Sequence, residues 1–274
     1  MKVTLSVIKA DVGSIGGHTE PSKKMMNCCN AMVAEAVNDG ELIDGIVTYT
    51  GDDIALIMSH VHGVGAEIIH VFAWDCFSEA TKIAKKQSLY GAGQDLLIDA
   101  PSGNIRGAGP AVAEIEFERD PESKIRPAEA FLVFAADKCG PGAYNYPLYS
   151  VFCDPMHDCG MLLSPKISKG FTLTIIDMDH KDGDRTIKLN YPEENLKIAT
   201  LLQNPDRFAV ESINSRVAPE EQIVSVSATR LHNIAGKYTG KDDPVAIVRT
   251  QGIFPAPEEV VEPWGLGHFV TGDA

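Results

Sequence analysis

Carboxylates fall where this chain turns. Asp11 closes an alternating apolar segment, Asp137 closes another, Asp52 and Asp53 sit between two β-rich runs, and Asp242 and Asp243 stand just before a last one. In a layered sheet, strand ends and hairpin tips share edges, so acids far apart in sequence can converge there. Converging carboxylates repel unless protons or cations lie between them. Hard oxygen ligands with one imidazole, here the glycine-flanked His18, suit Mg²⁺ or Mn²⁺, with water or phosphate oxygens completing the octahedra. A single Asp at a strand end is ordinarily a turn former or helix cap. Two Asp-Asp doublets, two strand-end acids and a histidine together point to a shared centre.

Lys241 immediately precedes the second doublet, and Tyr238 lies three residues earlier. From spacing alone, such a lysine is a surface ion pair. As a Schiff-base amine it must be neutral, and adjacent carboxylates oppose that unless metal ions neutralise them. Tyr238 is then either a proton shuttle or a packing aromatic. The glycine-rich runs around Tyr90, Gln94 and Asp95, and around Gly103, Asn104 and Arg106, offer backbone N–H groups to a phosphate. Neither run matches a P-loop or dinucleotide fingerprint. His60 and His62 share a strand face and read as structural. The stretch from Cys153 through His157 to Cys159 lacks a second ligand pair and reads as a loop with buried thiols rather than a zinc site.

The elements that position these residues follow from periodicity. Residues 2–10 alternate, with Val3, Leu5 and Val7 on one face, and predict a strand. Ser22 caps a helix that ends at Asp39-Gly40. Residues 43–50 and 54–60 form a hairpin around Gly51-Asp52-Asp53. Ile68, Ile69, Phe72, Cys76, Ala80 and Ile83 recur at helical spacing over residues 66–86. Strands follow near 111–117 and 130–136, then an ordered connection over 140–165 rich in Pro, Gly and Tyr. Beyond it lie strands at 171–177 and 186–189, a helix at 193–203, and strands at 208–213, 222–228 and 245–249. This is an α+β pattern with helices stacked on antiparallel sheet, read as one domain over residues 1–274.

The chain has 274 residues, 44% hydrophobic and 23% charged, with a net charge of −14 from 38 acidic and 24 basic side chains. That balance argues against a duplex nucleic-acid partner, which needs clustered Lys and Arg. An anionic small substrate fits if cations sit between it and the acids. No apolar run approaches bilayer-spanning length, and the N-terminus carries no signal-peptide pattern. The expectation is a soluble cytoplasmic protein whose six cysteines are reduced.

The stretches SVIKADVGSIGGH, GDDIALIMSH, LYGAGQDLL, SGNIRGAGP, FAADKCGPGAYNYPLY and IAGKYTGKDDPVAIVRTQ resemble, in family order, the archaeal-type fructose 1,6-bisphosphate aldolase/phosphatases. The resemblance implies a layered α-β-β-α sandwich with largely antiparallel sheets, assembled into a homo-oligomer, usually an octamer. It implies a gluconeogenic enzyme that condenses dihydroxyacetone phosphate with glyceraldehyde 3-phosphate and then removes the 1-phosphate to give fructose 6-phosphate. By that analogy several Mg²⁺ ions are held by Asp11, His18, Asp52, Asp53, Gln94, Asp137, Asp242 and Asp243. Lys241 looks like the Schiff-base lysine, Tyr238 like the aldol proton donor/acceptor, and Asp11 like the acid–base group of phosphate release. His18, Tyr90, Gly103, Asn104, Lys138 and Gln251 correspond to substrate-binding positions.

The sequence departs from the family at Thr19, at Cys139-Gly140 and at Gly252. It also stops before an Arg-Gly-Ser-His motif and a further segment that relatives carry. The expectation is a chain shortened at its C-terminus, so that an inactive metal- and sugar-phosphate-binding remnant is an alternative. A second alternative is a palm-type nucleotidyl transferase, because Tyr49-Thr-Gly-Asp-Asp53 resembles the acid-bearing hairpin of those two-metal enzymes. The absence of a basic groove stands against it.

Overall fold

The computed structural model describes residues 1–96, 109–118, 130–158, 168–179, 185–227 and 242–249. Two antiparallel sheets organise them. The first holds β1 (Lys2–Asp11), β2 (Asp44–Thr50), β3 (Asp53–His60) and β4 (Ala111–Glu118) in the order β2-β3-β1-β4. The second holds β5 (Phe131–Ala135), β6 (Phe171–Asp177), β7 (Arg185–Tyr191), β8 (Phe208–Ser215), β9 (Gln222–Val226) and β10 (Val245–Arg249) in the order β5-β10-β9-β8-β6-β7.

Alternation along β1 explains the layering. Ile8 and Ala10 point into a core shared with two helices, α1 (Lys23–Asn38) and α2 (Glu67–Lys86), while Val7 points the other way. Successive strand residues face opposite sides, so β1 serves both cores. Ile54, Leu56 and Met58 of β3 complete the helix side. On the other side Val7, Ala111, Ala113 and Ile115 meet Val245 and Ile247 of the second sheet. The far face of that sheet buries Leu173, Ile175, Ile213 and Val224 against α3 (Asn145–Phe152) and α5 (Asn195–Leu202). The layers therefore run helix, sheet, sheet, helix, as the sequence resemblance implied. Each fully buried side chain such as Leu56 or Phe77 contributes about 1.5–3 kcal/mol through removal from water.

α1 starts where Ser22 accepts a hydrogen bond from the Met25 N–H, at 3.4 Å, an N-cap that satisfies an otherwise orphaned donor. It buries Met25, Cys29, Val33 and Ala36 and ends ahead of Gly40, whose φ is 77°. α2 spans the predicted residues, and of the predicted stripe Ile69, Cys76 and Ala80 are buried while Phe72 and Ile83 pack against the same core. Ile69, His70, Ala73, Cys76, Phe77, Ala80, Thr81 and Ala84 face inward, while Ile68 is exposed. The prediction omitted Ala73, Phe77 and Ala84 as well as the polar His70 and Thr81, all buried members of the stripe.

Within the connection at 140–165 lie two helices that the sequence reading did not name, α3 and α4 (Pro155–Asp158). Pro147 sits in the first turn of α3, where no intrahelical donor is lost. Buried Asn145 ties that helix to the second sheet. Its amide donates to the carbonyls of Leu202 and Phe208, and its oxygen accepts from the Val210 N–H. Cys153 is buried in the core beneath α3, which supports the structural reading of that thiol. Cys159 lies outside the described residues.

Candidate metal centre

The register of β1 and β3 places Asp11 directly opposite Asp53. Both therefore project from the same face of the first sheet, the face that Val7 turns toward the second. The β2–β3 hairpin closes with Thr50 paired to Asp53, which leaves Gly51-Asp52 as a two-residue loop. Gly51 adopts φ 56°, and a Cβ there would run into the Asp137 carboxylate. Only glycine combines that backbone with so close an approach. Thus the acid following β5 in the second sheet is seated against the hairpin tip of the first.

Two groups result. Asp11, His18 and Asp52 each offer a ligand atom, all within 4.8 Å of one another, and so do Asp52, Asp53 and Asp137. Asp52 is common to both. His18 Nδ1 lies 2.8 Å from one Asp52 oxygen, and Lys138 Nζ donates at 2.7 Å to the other and at 2.6 Å to Asp137. His18 and Lys138 reach these positions from left-handed backbone, with φ of 64° and 59°. The His18 N–H is held by Ser14 Oγ at 2.9 Å, and its ring meets that of Tyr90 edge-on at 4.6 Å. Tyr90 itself is exposed and its backbone pairs with Ser14.

Gln94 begins a 3-10 turn, Gln94–Leu96, near Asp11. A Cβ built on Gly91 would lie 3.2 Å from Gln94 Oε1 and 3.9 Å from Asp11 Oδ1, so this glycine keeps the two side chains close. Asp243 comes from the start of β10 and is locked to the chain after Asp137. Its N–H donates to the Cys139 carbonyl at 2.8 Å, and its carboxylate accepts from the Cys139 N–H at 2.7 Å. Asp242 precedes it, half-buried. Gly103, Asn104, Tyr238, Lys241 and Gln251 lie outside the described residues.

The electrostatics are those of a centre short of positive charge. Burial, then Asp53, Asp52 and Asp95, push the Asp11 carboxyl up to about 8. Burial, then Asp53, push Asp243 up to about 6. Asp52 goes the other way: burial opposes ionisation, but Lys138 and His18 hold it below the usual carboxylate range. Carboxyls that retain protons because they are buried beside other carboxylates are the expected resting state of a polyvalent cation site. The donor set is hard oxygen with one imidazole, and it fits a divalent ion of the magnesium type.

Sequence reasoning missed three residues here. Lys9 is fully buried on β1 and ion-paired with Asp53. Asp95 accepts from the Asp11 backbone N–H at 2.9 Å. Cys139 forms the clamp with Asp243. Lys9 was findable: it continues the face of Val3, Leu5 and Val7 two residues before Asp11, an inward position for a charge. His60 lies away from this centre and is buried against Ser6, which agrees with its structural reading. Among the described residues, no cysteine joins either candidate ligand group.

An α-β-β-α sandwich with acids from both sheets meeting at their seam defines a class of protein whose seam could hold a metal ion. The comparisons make that class specific. Residues 2–274 match the family described as Fructose-1,6-bisphosphatase, and the chain belongs to that family. A Thermus thermophilus protein named fructose-1,6-bisphosphate aldolase/phosphatase is 53% identical over 273 residues, covering 100% of this chain and 73% of its own length. Proteins of the same name from Cenarchaeum symbiosum and Methanocaldococcus jannaschii are 45% and 46% identical. They cover 100% and 99% of this chain, and 69% and 67% of their own lengths. A family match over the whole chain replaces the palm-type reading.

Proposed function

We propose that this chain is a bifunctional gluconeogenic enzyme that condenses dihydroxyacetone phosphate with glyceraldehyde 3-phosphate and hydrolyses the 1-phosphate of the fructose 1,6-bisphosphate formed. The observation that carries this reading is the convergence of Asp11, His18, Asp52, Asp53 and Asp137 in a chain of this family. Asp11, His18, Asp52, Asp53, Gln94, Asp137, Asp242 and Asp243 are the proposed ligands, with Mg²⁺ as the ion and Mn²⁺ as a substitute. When bound, these ions supply the positive charge that a bisphosphate needs beside carboxylates and that phosphoryl transfer develops against.

The side chains divide the remaining work. Lys138, half-exposed at the rim between Asp52 and Asp137, is placed to donate to a phosphate oxygen. Tyr90 and His18 form the wall beside it. Asp11, protonated up to about pH 8 before ions enter, is suited to move a proton at the leaving oxygen. Lys241 is assigned the Schiff-base amine, Tyr238 the aldol proton transfer, and Gly103, Asn104 and Gln251 substrate contacts, on the strength of the motif match. A single domain over residues 1–274, a cytoplasmic homo-oligomer and the absence of a nucleic-acid partner belong to the same proposal. No helix among the described residues is long and apolar enough to cross a membrane.

The test is direct. This polypeptide, incubated with both triose phosphates and Mg²⁺, should release inorganic phosphate and fructose 6-phosphate, and EDTA should stop both. Phosphate release that persists in excess EDTA contradicts the metal assignment. Cation binding with no turnover on either substrate identifies a binding protein instead.

A further inference from the structure

Among the described residues, Lys9 is the one lysine or arginine whose side chain is fully buried, at 1% exposure. It enters the seam from β1 on the face it shares with Asp11, and its ammonium is paired with Asp53 Oδ2. It also lies close enough to Asp243, from the opposite sheet, to act on that carboxylate's charge. A buried lysine is costly unless paired, so its place inside an acid cluster calls for a reason. Packing alone would be served by a methionine of similar length. What Lys9 adds is a positive charge that cannot diffuse away, at a site whose other cations are free to exchange.

We propose that Lys9 is a positioning residue, a built-in counter-ion that holds Asp53 by one carboxylate oxygen and moderates how tightly the seam binds divalent cations. The ammonium repels an incoming ion and competes with it for Asp53. It also keeps the acids from both sheets together when ions are absent. Ion binding is thereby kept reversible and the Asp53 side chain kept in one orientation. This rests on the cation-binding reading above, and its test separates the two.

Metal-free protein is titrated with Mn²⁺ alone at pH 8, following free Mn²⁺ by electron paramagnetic resonance. Wild type should bind, and Lys9→Met should bind its tightest ion about tenfold more tightly, because one repelling charge has been removed. Lys9→Arg, which keeps the charge, should return to the wild-type constant. In the activity assay Lys9→Met should lower kcat more than it changes KM. Equal or weaker Mn²⁺ binding by Lys9→Met overturns the role of Lys9, whereas wild type that binds no Mn²⁺ overturns the cation reading as well. If Lys9→Met is too unstable to titrate, the rise in Tm on saturation with Mn²⁺ decides. A larger rise than in wild type supports the proposal, and an equal or smaller rise ends it.

Discussion

Asp11 and Asp53 face each other across neighbouring antiparallel strands, so two acids meet where a sheet would ordinarily pair apolar or opposite charges. Like charges directly opposite destabilise a sheet. In the metal-free protein burial, with that repulsion added to it, holds the Asp11 carboxyl up to about 8. The folded state therefore binds a proton that the unfolded chain gives up near its ordinary value of about 4. This stabilisation is complete at low pH and is lost as pH rises through 4 toward 8. Metal-free protein should lose on the order of a few kcal/mol across that window, and Asp11→Asn should flatten the loss. Denaturant melts at pH 5 and pH 8 in EDTA check this; a parallel fall in the variant would refute it.

Below pH 6.5 His60 acts with the opposite sign to Asp11. Burial pushes His60 down to about 4, and the geometry agrees with a neutral ring. His60 Nδ1 accepts from the His62 N–H at 3.3 Å and its Nε2 lies 2.8 Å from Ser6 Oγ, which in turn donates to Glu114 at 2.6 Å. A depressed folded value means stability is present above about 6.5 and lost as pH falls toward 4. The loss should reach up to about 3 kcal/mol. His60→Gln should start less stable than wild type at pH 6.5 and close that gap as pH falls to 4, measured by denaturant melts in EDTA at those two pH values.

Gly51→Ala should damage the centre without replacing a ligand. The new Cβ meets the Asp137 carboxylate, and φ 56° disfavours any side chain. The backbone term alone costs about 1 kcal/mol, and displacing Asp137 should weaken Mn²⁺ binding tenfold or more, about 1.4 kcal/mol at the ion. Titration of the variant with Mn²⁺ reads this. Wild-type affinity would show that Asp137 is no ligand.

The strand ends carrying Asp11, Asp52, Asp53 and Asp137 were legible because alternation fixes which residues face inward and turn chemistry fixes where strands stop. The α-β-β-α layering itself came from the motif resemblance. Their convergence was expected from shared strand edges, but its geometry was not legible: the distance from Asp137 to the hairpin depends on Gly51 being bare and on the packing of Val7 against Val245 and Ile247. α3 escaped because Pro, Gly and Tyr in its vicinity read as loop, whereas Leu148 and Phe152 find their partners only in the folded second sheet. Lys9 escaped because charge in a strand is read as outward by habit, although Val3, Leu5 and Val7 share its face.

Lys138→Met should separate binding from chemistry. Its ammonium bridges Asp52 and Asp137 at the exposed rim, where removing it raises local negative charge against a phosphate. KM for fructose 1,6-bisphosphate should rise about tenfold or more with a smaller change in kcat, which steady-state kinetics would resolve. The Asp52 carboxyl, relieved of its partner, should titrate at higher pH. A KM left at the wild-type value would remove Lys138 from the phosphate contacts.

Lys241→Met should abolish aldol condensation and borohydride trapping by dihydroxyacetone phosphate while leaving Mn²⁺ binding within about threefold, since a neutral amine contributes little to cation affinity. Trapping that persists in this variant moves the reactive amine elsewhere in the chain.

Asp11, Asp52 and Asp53 belong to one sheet, and Asp137 and Asp243 flank strands of the other. An ion seated among them is therefore a rivet through the sandwich as well as a reagent. Its arrival should stiffen the join, slowing amide exchange in β1 and β10 together, and its departure should let the two layers slip. Loosening the greasy part of that join far from any ligand, at Ile115 or Ile247, should blunt ion affinity just as surely as removing an acid.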